Sequence, residues 1–377
     1  MFEQLGIFPW ILMVLFVGVV TAQLAYYWGL FAKLAFFNKE DENEEETFLP
    51  PVSVVIAARN EYYTLRENLE LVLQQEYPEF EVVVVNHASE DDTFLLLKEL
   101  QGRYAHLKVI EIKEDLNFFK GKKFPLSIGI KEAKNEVLLL TDADCAPASK
   151  QWIQQMAKHY RKEKIEVVLG YGPYRKKKGL VNKVVRYDTF LVAMQYLSLA
   201  LAGKPYMGVG RNLSYKKGLF YRTKGFIAHY NIPSGDDDLF ISQVATKTNT
   251  AVELNKAGFV YSTPKESWSS WFKQKKRHLQ TATKYKLGVK FLLAFNSLTQ
   301  ALFYLLLPFM FFFQPLIWVA VGGFALRFLS QLIIHKKIMN RLDEGRLCLF
   351  SLFWEPIHLM ILFFIALTSK LSVKKEW

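Results

Sequence analysis

The sequence predicts an α/β domain with a mostly parallel sheet and helices on both faces, flanked by transmembrane helices. Two observations carry that expectation. Residues 50–145 alternate β-branched runs with segments of helical apolar spacing, the pattern of parallel strands joined by crossover helices. Residues 5–37, 291–334 and 347–369 are nearly free of charge, holding only Lys33, Arg327 and Glu355, and a bilayer core needs roughly 20 apolar residues per spanning helix.

The N-terminal segment supplies one span. "MFEQLGIFPW" has no positive flank and no small-residue cleavage site, so it reads as an uncleaved anchor rather than a signal peptide. Residues 291–334 are long enough for two spans, divided near "PFMFFFQPL" by Pro308 and Pro315. Residues 347–369 make a third C-terminal span, or Glu355-Pro356 turns the segment back as a re-entrant or interfacial element. The expected organisation is an anchor at 1–37, an acidic linker at 38–49, the α/β domain at 50–285 and a membrane region at 286–377 with two or three spanning helices. The N-terminal flank carries Glu3 and no Lys or Arg, whereas 38–290 and the loop "HKKIMNRLDEGR" are basic. The positive-inside rule then places 38–290 in the cytoplasm of a protein integral to the cell (inner) membrane. A full last span opposes the rule, because it puts the lysines of "SKLSVKKEW" outside.

The net charge is +12, from 48 Lys+Arg against 36 Asp+Glu. The basic stretches "YRKKKGLVNKVVRY" and "WFKQKKRHLQTATKYK" match no nucleic-acid module. They suit contact with anionic membrane lipids instead, with Lys275 and Lys276 read as snorkelling side chains. The two cysteines, Cys145 and Cys348, lie far apart and imply neither a disulfide framework nor a metal motif.

Within the domain, "PVSVVIAARNE", "EFEVVVVNHASEDDT", "LKVIEIKE" and "EVLLLTDAD" read as strands. "YYTLRENLELVLQQEYP", "TFLLLKELQGRY" and "KFPLSIGIKEAKN" read as the helices between them, with Pro125 accepted in a first turn. Ligands of such open sheets bind at the carboxyl ends of strands, here "ARNE", "NHASEDD" and "TDADCAP". Asp142 and Asp144 end a core strand one residue apart. Two close carboxylates in a dry site need a partner, and a divalent cation, Mg²⁺ or Mn²⁺, is the natural one; the alternative is a pair of turn or capping aspartates.

The order of segments resembles family 2 glycosyltransferases, whose catalytic domain has the GT-A fold. "VSVVIAARNE" is similar to that family's first strand and nucleotide-contacting loop, and "VVVVNHASEDDT" to its second strand and Asp-rich loop. "KGKKFPLSIGIKEAKNEVLLLTDAD" resembles its Lys-Gly element, helix and Asp-x-Asp strand. "MGVGRNLSYKK" is similar to its acceptor-side loop, "SGDDDLF" to the segment carrying its base, and "QKKRH" to its Gln-x-x-Arg-Trp motif. The resemblance covers roughly residues 50–285 and extends to the flanking apolar segments of its membrane-bound members. It implies a nucleotide-sugar donor contacted by Ala57, Arg59, Glu61, Asn86, Lys120 and Asp142, a metal on Asp144 with Asp142, and diphosphate contacts from Arg277 with Gln274 on the same helical face. The base it implies is Asp237, with Asp236 next. Glu61 caps or orients if it does not bind; Lys120 and Lys122 contact phosphate or ribose, or form a solvated turn with Gly121; Gly208, Gly210 and Asn212 permit close backbone approach to the acceptor. Helix N-termini favour acidic residues anyway, so one of Asp236, Asp237 and Asp238 serves as a cap. The sequence departs from the family at Asn86-His87, where an Asp pair is usual, and at His278, where the motif has Trp.

The function expected is metal-dependent, inverting transfer of a sugar to a lipid or lipid-linked glycan at the membrane, with no nucleic acid involved. A processive polysaccharide synthase is the rival enzyme, and a catalytically silent nucleotide-sugar-binding scaffold is the rival of another class.

Overall fold

The computed structural model describes residues 6–38, 49–114, 121–232 and 234–369. The described residues form two compact units, one within 49–285 and one of residues 6–38 with 286–369. Helix α1 (Ile7–Ala35), which has a π-helical turn over Ala25–Phe31, belongs to the second of these.

The larger unit is built on a seven-stranded sheet with strand order β3-β2-β1-β4-β7-β6-β8. Its strands are β1 (Val52–Ala58), β2 (Phe80–His87), β3 (Leu107–Ile112), β4 (Val137–Leu140), β6 (Val167–Leu169), β7 (Leu213–Lys216) and β8 (Thr250–Val252). β1 pairs in parallel with β2 and β4, β2 with β3, and β6 with β8. β7 runs antiparallel between β4 and β6, so the sheet is mixed but mostly parallel. A two-stranded ribbon joins β5 (Cys145–Pro147) to β9 (Val260–Ser262).

The β-branched composition of β1 and β2 fits strands covered on both faces; Val54, Val55, Val83 and Val84 are fully buried. The crossovers are α2 (Tyr62–Leu73), α3 (Thr93–Arg103) and α4 (Lys123–Glu132). Pro125 sits in the first turn of α4, where no helical hydrogen bond is lost. Gly129 lets α4 lie against the sheet, since a Cβ there would stand 2.6 Å from Val55 Cγ1. Beyond β4 come α5 (Trp152–Ala157), α6 (Leu180–Leu201), α7 (Lys217–Arg222), α8 (Asp238–Val244) and α9 (Trp268–Ala282). The sequence-predicted strand through Asp144 is shorter than expected: β4 stops at Leu140, and Thr141–Asp144 turn toward the ribbon.

The second unit packs α1 with α10 (Leu287–Met310), α11 (Ile317–Arg341) and α12 (Cys348–Ser369). Four helices of the described residues are long and apolar enough to cross a membrane: Ile7–Ala35, Leu287–Met310, Gln314–Arg341 and Gly345–Thr368. Helix α12 runs unbroken through Glu355 and Pro356. The Glu355 charge is satisfied within the bundle: Arg327 Nη2 on α11 donates to both Glu355 oxygens at 3.0 Å, and Gln331 and Tyr304 donate to the same carboxylate. Ionisable groups in an apolar bundle face its interior and pair, and these two are buried. Gln23 on α1 donates to Thr299 on α10 at 2.6 Å. Gly323 brings α11 onto Phe16 of α1; a Cβ would meet that ring at 2.7 Å, the small-residue contact by which apolar helices approach.

Candidate active site

In the larger unit, the parallel pairing of β1 with β2 and β4 brings three carboxyl ends to one rim, beside Ala57, Asn86 and Thr141. Because β7 enters antiparallel with Leu213 opposite Leu140, the loop before β7 arrives at the same rim. Thr141 Oγ1 donates to the Arg211 carbonyl at 2.9 Å. The cleft there is lined by Ala57, Lys122, Thr141, Asp142, Gly210, Asp236 and Asp237, among others.

Lys122 ties the rim together. Its Nζ lies 2.7 Å from Asp142 Oδ1 and 3.1 Å from Asp236 Oδ2. Burial works against the ammonium charge, but Asp142, Asp236 and Asp237 around it outweigh burial and hold its pKa well above the ordinary lysine value. Asp142 is held below the usual carboxylate range: burial opposes this, and the Lys122 charge and hydrogen bond overcome it. Asp236 goes the other way. Burial raises its pKa, and repulsion from Asp237 and Asp142 adds to the rise against the pull of Lys122. Lys122 is therefore an ion-paired bridge, which corrects the alternative of a solvated turn.

Asp144 has a different setting. Its Oδ2 accepts from Ser262 Oγ at 3.1 Å and its Oδ1 from the Cys145 thiol at 3.3 Å, both fixed by the Cys145–Ser262 pairing of the ribbon. Donor atoms of Asp142, Asp144 and Cys145 lie within 4.8 Å of one another. Burial, then Asp144 and Asp142, push the Cys145 thiol well above its ordinary pKa, so it brings no thiolate. The oxygens of Asp142 and Asp144 remain, and hard oxygen donors fit Mg²⁺ or Mn²⁺.

The acidic run at the start of α8 divides by environment. The chain enters it through Gly235, whose φ of +97° favours glycine. Asp236 is buried beside Lys122. Asp237 caps the helix: its Oδ1 accepts from the Asp238 amide at 2.7 Å, and its Oδ2 accepts from the Gly210 amide at 2.7 Å. Asp238 accepts from the hydroxyls of Thr281 and Tyr285. Burial, with repulsion from Asp237, pushes its pKa up to about 7.

The remaining predicted residues are placed as follows. Gln274 on α9 donates to the Tyr174 hydroxyl at 2.9 Å. Arg277 is exposed on that helix, and its charge reaches Asp142. Glu61 stands at the start of α2, where burial, with Asp144 and Asp142 nearby, raises its pKa. Asn86 is buried, donating to Glu111 and accepting from Ser89. Arg59 follows β1 and is half-buried; Lys120 lies outside the described residues.

Asn212 is fully buried: its amide donates to the Tyr171 and Gly258 carbonyls and accepts from Trp152 Nε1, so its side chain ties the loop before β7 to the chain after β6. One expectation fails. Lys275 does not snorkel, because it forms a buried ion pair with Asp188 at 2.7 Å. The sequence reading missed Arg211, Tyr174 and Ser262. A lone arginine in the glycine-flanked stretch "MGVGRNLSY" was the available signal for Arg211; Tyr174 and Ser262 carried none.

The family model for glycosyl transferase family 2 matches residues 53–223, which contain the rim and its aspartates. That match identifies residues 53–223 as a glycosyl transferase family 2 region. The chain is 25% identical over 254 residues to the probable glycosyltransferase YdaM of Bacillus subtilis, covering 63% of this chain and 56% of that protein. It is 27% identical over 189 residues to a poly-beta-1,6-N-acetyl-D-glucosamine synthase of Staphylococcus epidermidis, covering 48% and 44%. The chain thus spans about half the length of the curated relatives it matches. The fold is similar to that of a mannosyltransferase from Pyrobaculum calidifontis solved with GDP-Man and Mn²⁺, with a TM-score of 0.60 and 19% identity over 91% of this chain and 99% of that one. The larger unit accordingly has the GT-A fold.

Proposed function

We propose that this protein is a membrane-bound glycosyltransferase that moves a sugar from a nucleotide-sugar donor to a lipid or lipid-linked glycan. It works with Mg²⁺ or Mn²⁺ and with inversion, its catalytic domain facing the cytoplasm. The observation that carries the reading is the Lys122 bridge, which joins the strand-tip Asp142 to Asp236 within one cleft. A cation-binding carboxylate and a carboxylate suited to take a proton thereby stand together.

In this reading Asp142 and Asp144 hold the cation, which when bound supplies Lewis-acid neutralisation of the departing diphosphate. Arg277 offers its guanidinium fork to the phosphates. Asp236 is the general base for the acceptor hydroxyl. Its raised pKa favours proton capture, whereas both oxygens of Asp237 already accept backbone amides. Asp237 instead holds the Gly210 loop in place. This reverses the order expected from sequence.

The test is release of nucleoside diphosphate by the full-length protein in nanodiscs, given Mn²⁺, membrane lipid extract and GDP-mannose, UDP-N-acetylglucosamine or related donors. Release with at least one donor, abolished by chelator, is expected. No release with any donor would overturn the proposal. The relative named as a polysaccharide synthase supports a second, processive reading; product length separates the two.

A further inference from the structure

Arg211 is a cation of the cleft that neither the family motifs nor the mechanism above uses. Its backbone is held at the rim by Thr141. Its guanidinium lies over the Tyr174 ring, 4.3 Å from the centroid, and Tyr174 is fixed in turn by Gln274. Gly172 leaves the space: a Cβ there would stand 3.2 Å from Arg211 Cβ and 3.4 Å from Nε. Yet among the described residues Arg211 makes no ion pair, and its buried Nη1 has no hydrogen-bond partner. A buried donor left unpaired is costly and calls for an acceptor from outside the chain.

The surroundings name that acceptor's chemistry. Arg211 feels the charges of Asp144 and Asp142, so it flanks the carboxylates proposed to hold a cation. Lys122 is already shared between two carboxylates and has little charge left for a ligand. A planar, always-charged fork on an aromatic shelf matches phosphate oxygens better than a point charge does.

We propose that Arg211 binds a phosphate oxygen of the ligand, so that the guanidinium on the Tyr174 shelf is a second anchor beside the cation. The inference rests on the proposed transferase reading. The phosphate belongs either to the donor's diphosphate or to a phosphorylated lipid acceptor.

The experiment titrates the full-length protein in nanodiscs with GDP and UDP in the presence of Mn²⁺, and separately with citronellyl phosphate, comparing wild type with Arg211→Gln. Arg211→Met, which keeps the stem over Tyr174, carries the same comparison if the glutamine variant does not fold. Loss of a charge-assisted contact should weaken the phosphate-bearing probe about 10- to 100-fold, leaving affinity for the free nucleoside and the melting temperature unchanged. Weakening of the nucleotide alone assigns the donor diphosphate; weakening of citronellyl phosphate alone assigns the acceptor. A folded variant that binds both as wild type does overturns the inference while leaving the transferase reading intact. A wild type that binds neither overturns that reading, and the inference with it.

Discussion

Replacing Asp236 by asparagine separates proton capture from structure. Asparagine keeps the volume of a buried side chain and can still accept from Lys122, 3.1 Å away, while Lys122 keeps its 2.7 Å contact with Asp142. The change also removes repulsion from Asp237 and Asp142. A carboxyl whose folded pKa is raised stabilises the fold fully only below its unfolded pKa, and that contribution is lost as pH rises through the folded pKa. Asp236→Asn should therefore leave the melting temperature at neutral pH nearly unchanged. The rate should respond differently. A general base contributes typically 10²–10⁴-fold, about 2.7–5.4 kcal/mol of barrier. Because the base must be ionised, wild-type transfer should fall as pH drops through the raised Asp236 pKa, and the variant should lose that acid limb. Single-turnover nucleoside diphosphate release with donor and lipid extract saturating, run across pH beside melting curves, reads both effects. Asp237→Asn keeps the helix cap, because Asn caps as well as Asp, but it leaves one acceptor for the two amides of Asp238 and Gly210 and should act mainly through the Gly210 loop. Near wild-type turnover in Asp236→Asn with collapse in a stably folded Asp237→Asn would refute the assignment and restore Asp237. Equal small losses at both would leave the run as an acidic helix start.

Three further outcomes are expected. Asp144→Ala should abolish Mn²⁺-dependent nucleotide binding without lowering the melting temperature, since among the described residues Asp144 accepts only from Ser262 and Cys145; retained Mn²⁺ dependence would contradict its role. Arg327→Ala should destabilise the membrane unit by about 3–5 kcal/mol, because it strands the buried Glu355 carboxylate; the double variant Arg327→Met with Glu355→Leu should be far milder, as read from unfolding in detergent. Protease added to intact cells should not cut residues 38–290, and external cleavage within "DENEEE" would invert the proposed orientation.

Much of the fold was legible locally. β-branched runs and helical apolar spacing are short-range signals, and they marked β1 through β4 with the helices between them. The uncharged segments likewise stood out by length, because the requirement of a bilayer core is written along the chain. Asp142 and Asp144 were legible for a related reason: polar residues at the end of an apolar strand break its pattern. Tertiary structure decided what depends on distance between remote segments. The antiparallel entry of β7 puts residues 210–212 against Thr141, and no local pattern encodes that. Among Asp236, Asp237 and Asp238, which look alike in sequence, one faces Lys122, one caps a helix and ties Gly210, and one accepts from Thr281 and Tyr285. Glu355 reads alone as a break in a span, yet Arg327, 28 residues earlier, neutralises it and the helix continues. Composition and periodicity report what a residue prefers, whereas its ionisation and chemical role depend on the charges and donors that folding brings within a few ångströms of it.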